Sequence, residues 1–568
     1  MKVNKYIGMM MTAALVLTAS SCTDFDDYNK VPVDANASSE LTLWDNISQN
    51  SRLTNFQKII QKVGFNNELQ QSHFYTVWAP LDGTYDADAL LNQDNATVLY
   101  RFVKSHIAEH NHLISGPVNE RIHALNEKSF NFEGASPYTY ADVPIENINL
   151  PSRNGVIHTL NGAATFYPNI YEYIFQANDI DSLKDYFKRY ENVYLDENNS
   201  VVGPTVNGKQ TYIDSVMITT NSLYNTLRAR IAHEDSSYTM AMPTNEAWVK
   251  AYNKIRPYFN YITTTIAQDL DGAVSATNIP TTTATINNEY MADSLTKRAI
   301  VDNLIFNNNN AYNRWVEDPS ELSTDTLLTT TRNALSNPDE FLSKTKEKVK
   351  MSNGYARLMD TLAVHPWEGW APEIIISPNA SITWNGNKHI VRVDNPNPSK
   401  GTFEYGSFSY LWVEPTSGYA KPELDIKLTG VLSTTYDIYC VIVPADVDIN
   451  DSLADVRPNQ LDFDLSYCNE KGAISQTWTG ANHTSSTSKH FAAKLENDPT
   501  KVDTMFVGSF TFPIAYRGLG EKMYPNLKIT SDFNVFNSGM MAKYTRDLRI
   551  AAIILRPVEM DEYEATKE

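Results

Sequence analysis

Phe74-Tyr75-Thr76-Val77-Trp78-Ala79-Pro80-Leu81-Asp82 is the stretch on which the fold turns. Its β-branched and aromatic residues suit a strand, and Pro80 ends it because proline has no N–H to give to a sheet ladder. Upstream, Leu43, Trp44 and Ile47, then Leu53, Phe56, Ile59, Ile60 and Val63, recur at helical spacing and predict two short amphipathic helices. Downstream, Leu99–Ile107 reads as a second kind of segment, an apolar helix. Arg153-Asn154-Gly155-Val156-Ile157-His158-Thr159-Leu160 then opens on an Asn-Gly pair, a tight-turn signal, and continues as a strand.

These segments recur. Ser237-Tyr238-Thr239-Met240-Ala241-Met242-Pro243-Thr244-Asn245-Glu246-Ala247-Trp248 echoes the strand ending at Pro80, Arg298–Phe306 echoes the apolar helix, and Ser352-Asn353-Gly354-Tyr355-Ala356-Arg357-Leu358-Met359 echoes the Asn-Gly strand. The second copy is the longer. Thr263–Asn288, rich in Thr, and Asn307–Ser343, rich in Asn and Thr, hold its extra residues and read as solvated loops. After Pro372 helical periodicity fades. Short β-rich runs such as Leu424–Leu428, Tyr436–Val443, Phe506–Phe512 and Leu548–Leu555, separated by Gly, Pro and Asn, predict an antiparallel sandwich of jelly-roll type.

The strand ending Ala79-Pro80, the Tyr100 and His106 pair on a helix, and the closing Asn154–Leu160 segment together resemble the fasciclin-like domain. The first copy matches all three motifs. The second keeps Asn353-Gly354 but has Tyr355-Ala356-Arg357 where Val-Ile-His is expected, and Asn307 near the expected helix histidine. The resemblance implies α+β wedges of strands with packed helices, and a role in adhesion and partner binding without catalysis. The expected plan is a leader over 1–21, a flexible tether over 22–40, fasciclin-like domains over 41–173 and 174–376, and a β-sandwich over 377–568.

The leader reading rests on Lys2 and Lys5, the apolar run Ile7–Ala19 and the small residues before Cys22. That run is too short to span a hydrocarbon core, which takes about 20 apolar residues. Cys22 after such a site resembles the lipid-bearing cysteine of bacterial lipoproteins. The acidic residues behind it resemble the surface-export signal of Bacteroidota lipoproteins, which implies an outer-membrane anchor and an outward-facing chain. The whole combination resembles accessory surface lipoproteins of Bacteroidota, some of which accompany nutrient-import complexes.

The 568 residues carry a net charge of −20, which argues against nucleic acid, because phosphate binding needs a basic surface. Cys440 and Cys468 are expected either to pair or to stay as buried thiols. His106, His110 and His112 have a spacing that can hold zinc, but His106 stands where the fasciclin-like fold uses a histidine structurally, so no metal or other cofactor is expected. No nucleophile elbow or phosphate loop occurs, and no enzyme activity is expected. Trp367, Trp370, Trp384, Trp412 and Trp478 are the candidate ligand-contacting aromatics, with core packing as the competing role. Two functions follow: a surface lipoprotein binding a protein or matrix partner, or an accessory ligand- or glycan-binding subunit of a TonB-dependent nutrient importer.

Overall fold

The computed structural model describes residues 39–566, apart from 198–199, 206–207, 215–216, 262–266, 269–283, 286–287, 317–325, 378–381, 404, 406–407, 450–455, 471–473, 478–489 and 520–523. Cys22, the leader and most of the tether therefore lie outside the described residues, as does Trp478. The chain divides into two compact units. The first runs to Gln176 and adds Arg230–Ser237 and Val349–Tyr355; the second takes the rest. The boundary expected at 173/174 falls inside a helix, Ile170–Gln176.

In the first unit, helix α1 (Leu43–Gln49) starts on a capping box: Asp45 N–H donates to Thr42 Oγ1, and Thr42 N–H donates to the Asp45 carboxylate. It buries Leu43, Trp44 and Ile47. Helix α2 (Thr54–Lys62) buries Phe56, Ile59 and Ile60 against the same core. Strand β1 (Tyr75–Pro80) is buried along its whole length. It runs antiparallel to β2 (Ile107–Glu109) and parallel to β7 (Gly155–Leu160), with Trp78 opposite His158. Hairpins of β3 (Val118–His123), β4 (Ser129–Gly134), β5 (Tyr138–Tyr140) and β6 (Val143–Ser152) complete a seven-stranded sheet in the order β2-β1-β7-β6-β5-β4-β3. The helix expected over Leu99–Ile107 starts earlier, at Asn95, and ends one residue early. A π turn and a 3-10 turn carry it to His106, and Ile107 already belongs to β2.

The second copy repeats the central topology. Strands β8 (Tyr238–Pro243), β9 (Ile305–Asn307), β10 (Thr345–Met351) and β11 (Gly354–Met359) lie in the order β9-β8-β11-β10, which matches β2-β1-β7-β6. Tyr238 faces Asn307 as Tyr75 faces Glu109, so Asn307 holds the place of Glu109, and Leu304, not Asn307, holds that of His106. The stretch Asn307–Ser343 is only partly loop. Leu327, Leu335 and Phe341 are buried in it, on a short hairpin and the helix Pro338–Ser343. Its apolar residues stand singly or in pairs through a polar run and leave no period to read. Of the other expected loop, Thr263–Asn288, most lies outside the described residues.

The β-rich remainder forms two antiparallel sheets. One has the order Asn387–Arg392, Ser409–Glu414, Leu548–Pro557, Thr435–Ile442, Asp503–Thr511, with Ile374–Ile376 also paired to Leu548–Pro557. The other has the order Ile382–Asn385, Glu423–Lys427, Asn526–Ser531, Gln460–Cys468, Ile474–Thr477, with Ala492–Glu496 also paired to Gln460–Cys468. Burial alternates along Glu423–Lys427 and Asn526–Ser531, which put Leu424, Ile426, Leu527 and Ile529 inside. The pairing considered for Cys440 and Cys468 is not found: both are buried free thiols on strands of different sheets. Burial raises the pKa of each thiol, that of Cys468 to about 11. No helix among the described residues is long and apolar enough to cross a membrane.

Candidate functional site

A hollow of about 650 Å³ opens in the second unit. One wall is the loop His365-Pro366-Trp367, where Glu368 folds back to accept the His365 N–H at 3.2 Å. A second is the C-terminal helix Val558–Ala565, which brings Glu559, Glu562 and Tyr563. The helix Asn245–Ile255 and the Pro257 turn that follows it supply Lys254 and Tyr258, and Ser433 and Thr434 close the rim.

The aromatic part is a cluster of three rings. Trp367 stacks on His365 at 4.6 Å and 12°, and Tyr563 lies 5.1 Å from Trp367 and 4.6 Å from His365. The polar part is tied down. Tyr258 Oη donates to the Glu559 carboxylate, 2.7 and 2.6 Å from its two oxygens. Burial first, and Glu559 second, raise the Tyr258 pKa, so the phenol keeps its proton and remains a donor. The Lys254 ammonium donates to Val364 O at 2.9 Å and stands 5.4 Å from the Trp370 ring centre. Burial lowers its pKa, against the opposing pull of Glu559, Glu340 and Glu368. Such a site offers a stacking surface with hydrogen-bonding groups of both kinds around it.

Of the tryptophans singled out from sequence, Trp367 lines this hollow and is half-buried. Trp370 is 3% exposed and packs on Tyr258, out of a ligand's reach. Trp384 is 49% exposed, with the Lys388 ammonium 4.1 Å above its ring. Trp412 is half-buried between His389 and the Arg549 guanidinium. Neither Trp384 nor Trp412 lines the hollow. Sequence reasoning missed Tyr258, Glu559 and Tyr563, because neither Arg256–Phe259 nor the acidic segment Val558–Ala565 carries a motif. It also missed an exposed ring pair, Tyr419 and Phe536, 5.6 Å apart at 27°. Buried Arg546 holds their loops together by donating to Tyr419 O and Ala420 O on one side and Phe533 O on the other.

The first unit holds polar groups that are structural. His106 Nε2 accepts from Ala164 N–H at 3.0 Å, which leaves its Nδ1 to donate to Phe102 O at 2.7 Å. His158 Nδ1 accepts from Asn149 N–H at 3.3 Å, and its Nε2 donates to His112 O at 2.9 Å. Burial lowers both pKa values to about 4. Among the described residues no group of three His, Cys, Asp or Glu is placed to hold a metal. Lys128 is buried with its ammonium 2.7 Å from Glu172 and 2.8 Å from Glu234.

The Asn-Gly turns decide the relation of the two copies. Asn154 Oδ1 accepts the N–H of Leu43, the first residue of α1, and Asn154 Nδ2 donates to Leu69 O and Gln71 O. Asn353 Oδ1 accepts the N–H of Ile170, again the first residue of a helix, and Asn353 Nδ2 donates to Ile231 O and His233 O. Asn169 and Glu172 repeat the capping box of Thr42 and Asp45. Residues 51–164 match the family model described as the Fasciclin domain.

This stretch is a fasciclin domain.

The match ends at Ala164, the residue whose N–H His106 accepts. Among solved structures, the chain is similar to the domain pair of the insect cell adhesion molecule Fasciclin I, at 11% identity and a TM-score of 0.21, over 56% of this chain and 99% of that one. It is also similar to the C-terminal family 22 carbohydrate-binding module of Clostridium thermocellum Xyn10B, at 12% identity and a TM-score of 0.18, over 32% and 92%. A xylan-binding domain of Paenibacillus barcinonensis Xyn10C gives 12% identity and a TM-score of 0.15, over 32% and 89%. No curated protein matches the chain.

Proposed function

We propose that this protein is a non-enzymatic surface lipoprotein that binds a protein or matrix partner through its fasciclin-type copies. Lipid on Cys22 anchors it in the outer membrane, facing outward, as in the Bacteroidota lipoproteins that its leader resembles. It needs no cofactor. The observation that carries the reading is the duplication: the Asn154 clamp of the fasciclin domain recurs at Asn353, on the same strand order. The second copy is therefore read as a fasciclin domain with insertions, and the two antiparallel sheets as a jelly-roll sandwich. The test is a pull-down of the native lipoprotein from detergent-solubilised outer membrane, with adhesion assayed after deletion of the gene. A partner that co-purifies, and adhesion that falls while growth on nutrients is unchanged, support the reading. Unchanged adhesion with no bound partner contradicts it.

A second reading has its own observation. The hollow beside Trp367 is of the size that takes small ligands, about 300–1,000 Å³. It suits an accessory ligand-capturing subunit of a TonB-dependent importer. Co-purification with such a transporter favours this reading over the first.

A further inference from the structure

We propose that the hollow walled by Trp367 and the C-terminal helix is a saccharide site, which takes a neutral sugar unit against the Trp367 and Tyr563 rings. This rests on the ligand-capture reading and adds the class of ligand and the residues that hold it. A sugar ring presents C–H groups on one face and hydroxyls around its edge. It needs a flat, polarisable surface and, at the rim, groups that both donate and accept.

The site has these parts in place. Trp367 is backed by His365 and flanked by Tyr563, so its ring is held before any ligand arrives. Aromatic side chains give large contact area at little entropic loss. Thr434 offers a hydroxyl, while that of Ser433 already donates to Pro257 O and accepts the Asn260 N–H, and Glu562, exposed on the last helix, offers a carboxylate. Charges of both signs line the hollow, Lys254 opposite in sign to Glu559 and Glu562. A strongly anionic or cationic ligand meets a like charge there, and a neutral polyhydroxylated one does not. The helix that forms the wall is itself fixed: Arg556 bridges Glu373 at 2.8 Å and Asp561 at 3.2 Å, and Tyr258 holds Glu559. The wall is preformed, so binding needs little reordering.

The experiment is calorimetric titration of the full chain with cellohexaose, xylohexaose and mannohexaose, beside a glucosamine hexamer and a heparin hexasaccharide. The expected result is binding of at least one neutral oligosaccharide, with both charged ones weaker by at least about tenfold. Trp367→Ala should weaken that binding by at least about tenfold. Glu562→Ala, at an exposed position where the fold is not at risk, should weaken it about threefold or more. Three results overturn the proposal: no binding by any neutral probe, preference for a charged one, or neutral binding untouched by both variants. Neutral binding that survives both variants leaves ligand capture standing and removes this site. A transporter that co-purifies without any sugar binding separates the two in the same way.

Discussion

Two histidines and one lysine show what burial demands of a charged side chain. His106 and His158 are enclosed as neutral rings whose tautomers are set by backbone N–H donors. Their folded pKa of about 4 lies below the usual value of 6.5, so the unfolded chain binds more protons between these limits. Stability is therefore full above about pH 6.5 and is lost as pH falls toward 4. Each histidine should remove about 2 kcal/mol between pH 7 and pH 5. Denaturant midpoints that do not move over that range would contradict the assignment. Lys128 is the opposite case, a buried cation kept by two carboxylates. Lys128→Met strands Glu172 and Glu234 and should cost about 3–5 kcal/mol. Adding Glu172→Gln and Glu234→Gln should return part of this in thermal unfolding, and no return would mean that lost packing, not stranded charge, dominates. His106 was legible from its motif; the lysine was not, because its partners lie far away in sequence and one belongs to the second copy.

Among the elements, the Asn-Gly turns carry most of the explanatory weight. Each asparagine makes three bonds, one to a helix start and two to the chain before a central strand. Asn154→Ala and Asn353→Ala should each cost about 2–4 kcal/mol, because buried backbone groups are left without partners. A loss at only one of the two, read by denaturant unfolding of the single variants, would deny that the copies share the device. Gly155 has φ +155°, and a Cβ there would stand 2.1 Å from Tyr75 O. Gly155→Ala should therefore separate β1 from β7 and unfold the domain, seen as loss of the near-ultraviolet signal of buried Trp78. The strand, the proline stop and the Asn-Gly turn were legible because each has a local cause. The β3–β5 hairpins were not: β4 alternates over only a few residues, with Phe130 and Phe132 inside and Asn131 and Glu133 outside, and in β3 Ile122 alone is buried. Arg357, where His158 stands in the first copy, is buried beside Thr345, so the altered motif kept its place in the sheet and changed only its side chain.

At the scale of the molecule, sequence served the class of each part better than the site. Apolar runs and turn residues marked the β-rich half, and its antiparallel sheets follow that pattern. The hollow was half legible. Trp367 belongs to it, but Trp370 is core, and Tyr258 and Tyr563 come from segments with no motif of their own. The central claim is that the chain works as a lipid-anchored binding protein outside the cell. The most direct test is purification of the full chain from detergent-solubilised outer membrane, wild type beside Cys22→Ala. The account predicts that wild-type protein carries lipid, resides in that membrane and brings a partner in fixed ratio, while Cys22→Ala is lost from the membrane with its partner. A Cys22→Ala protein that still takes up palmitate and stays at the surface would contradict it.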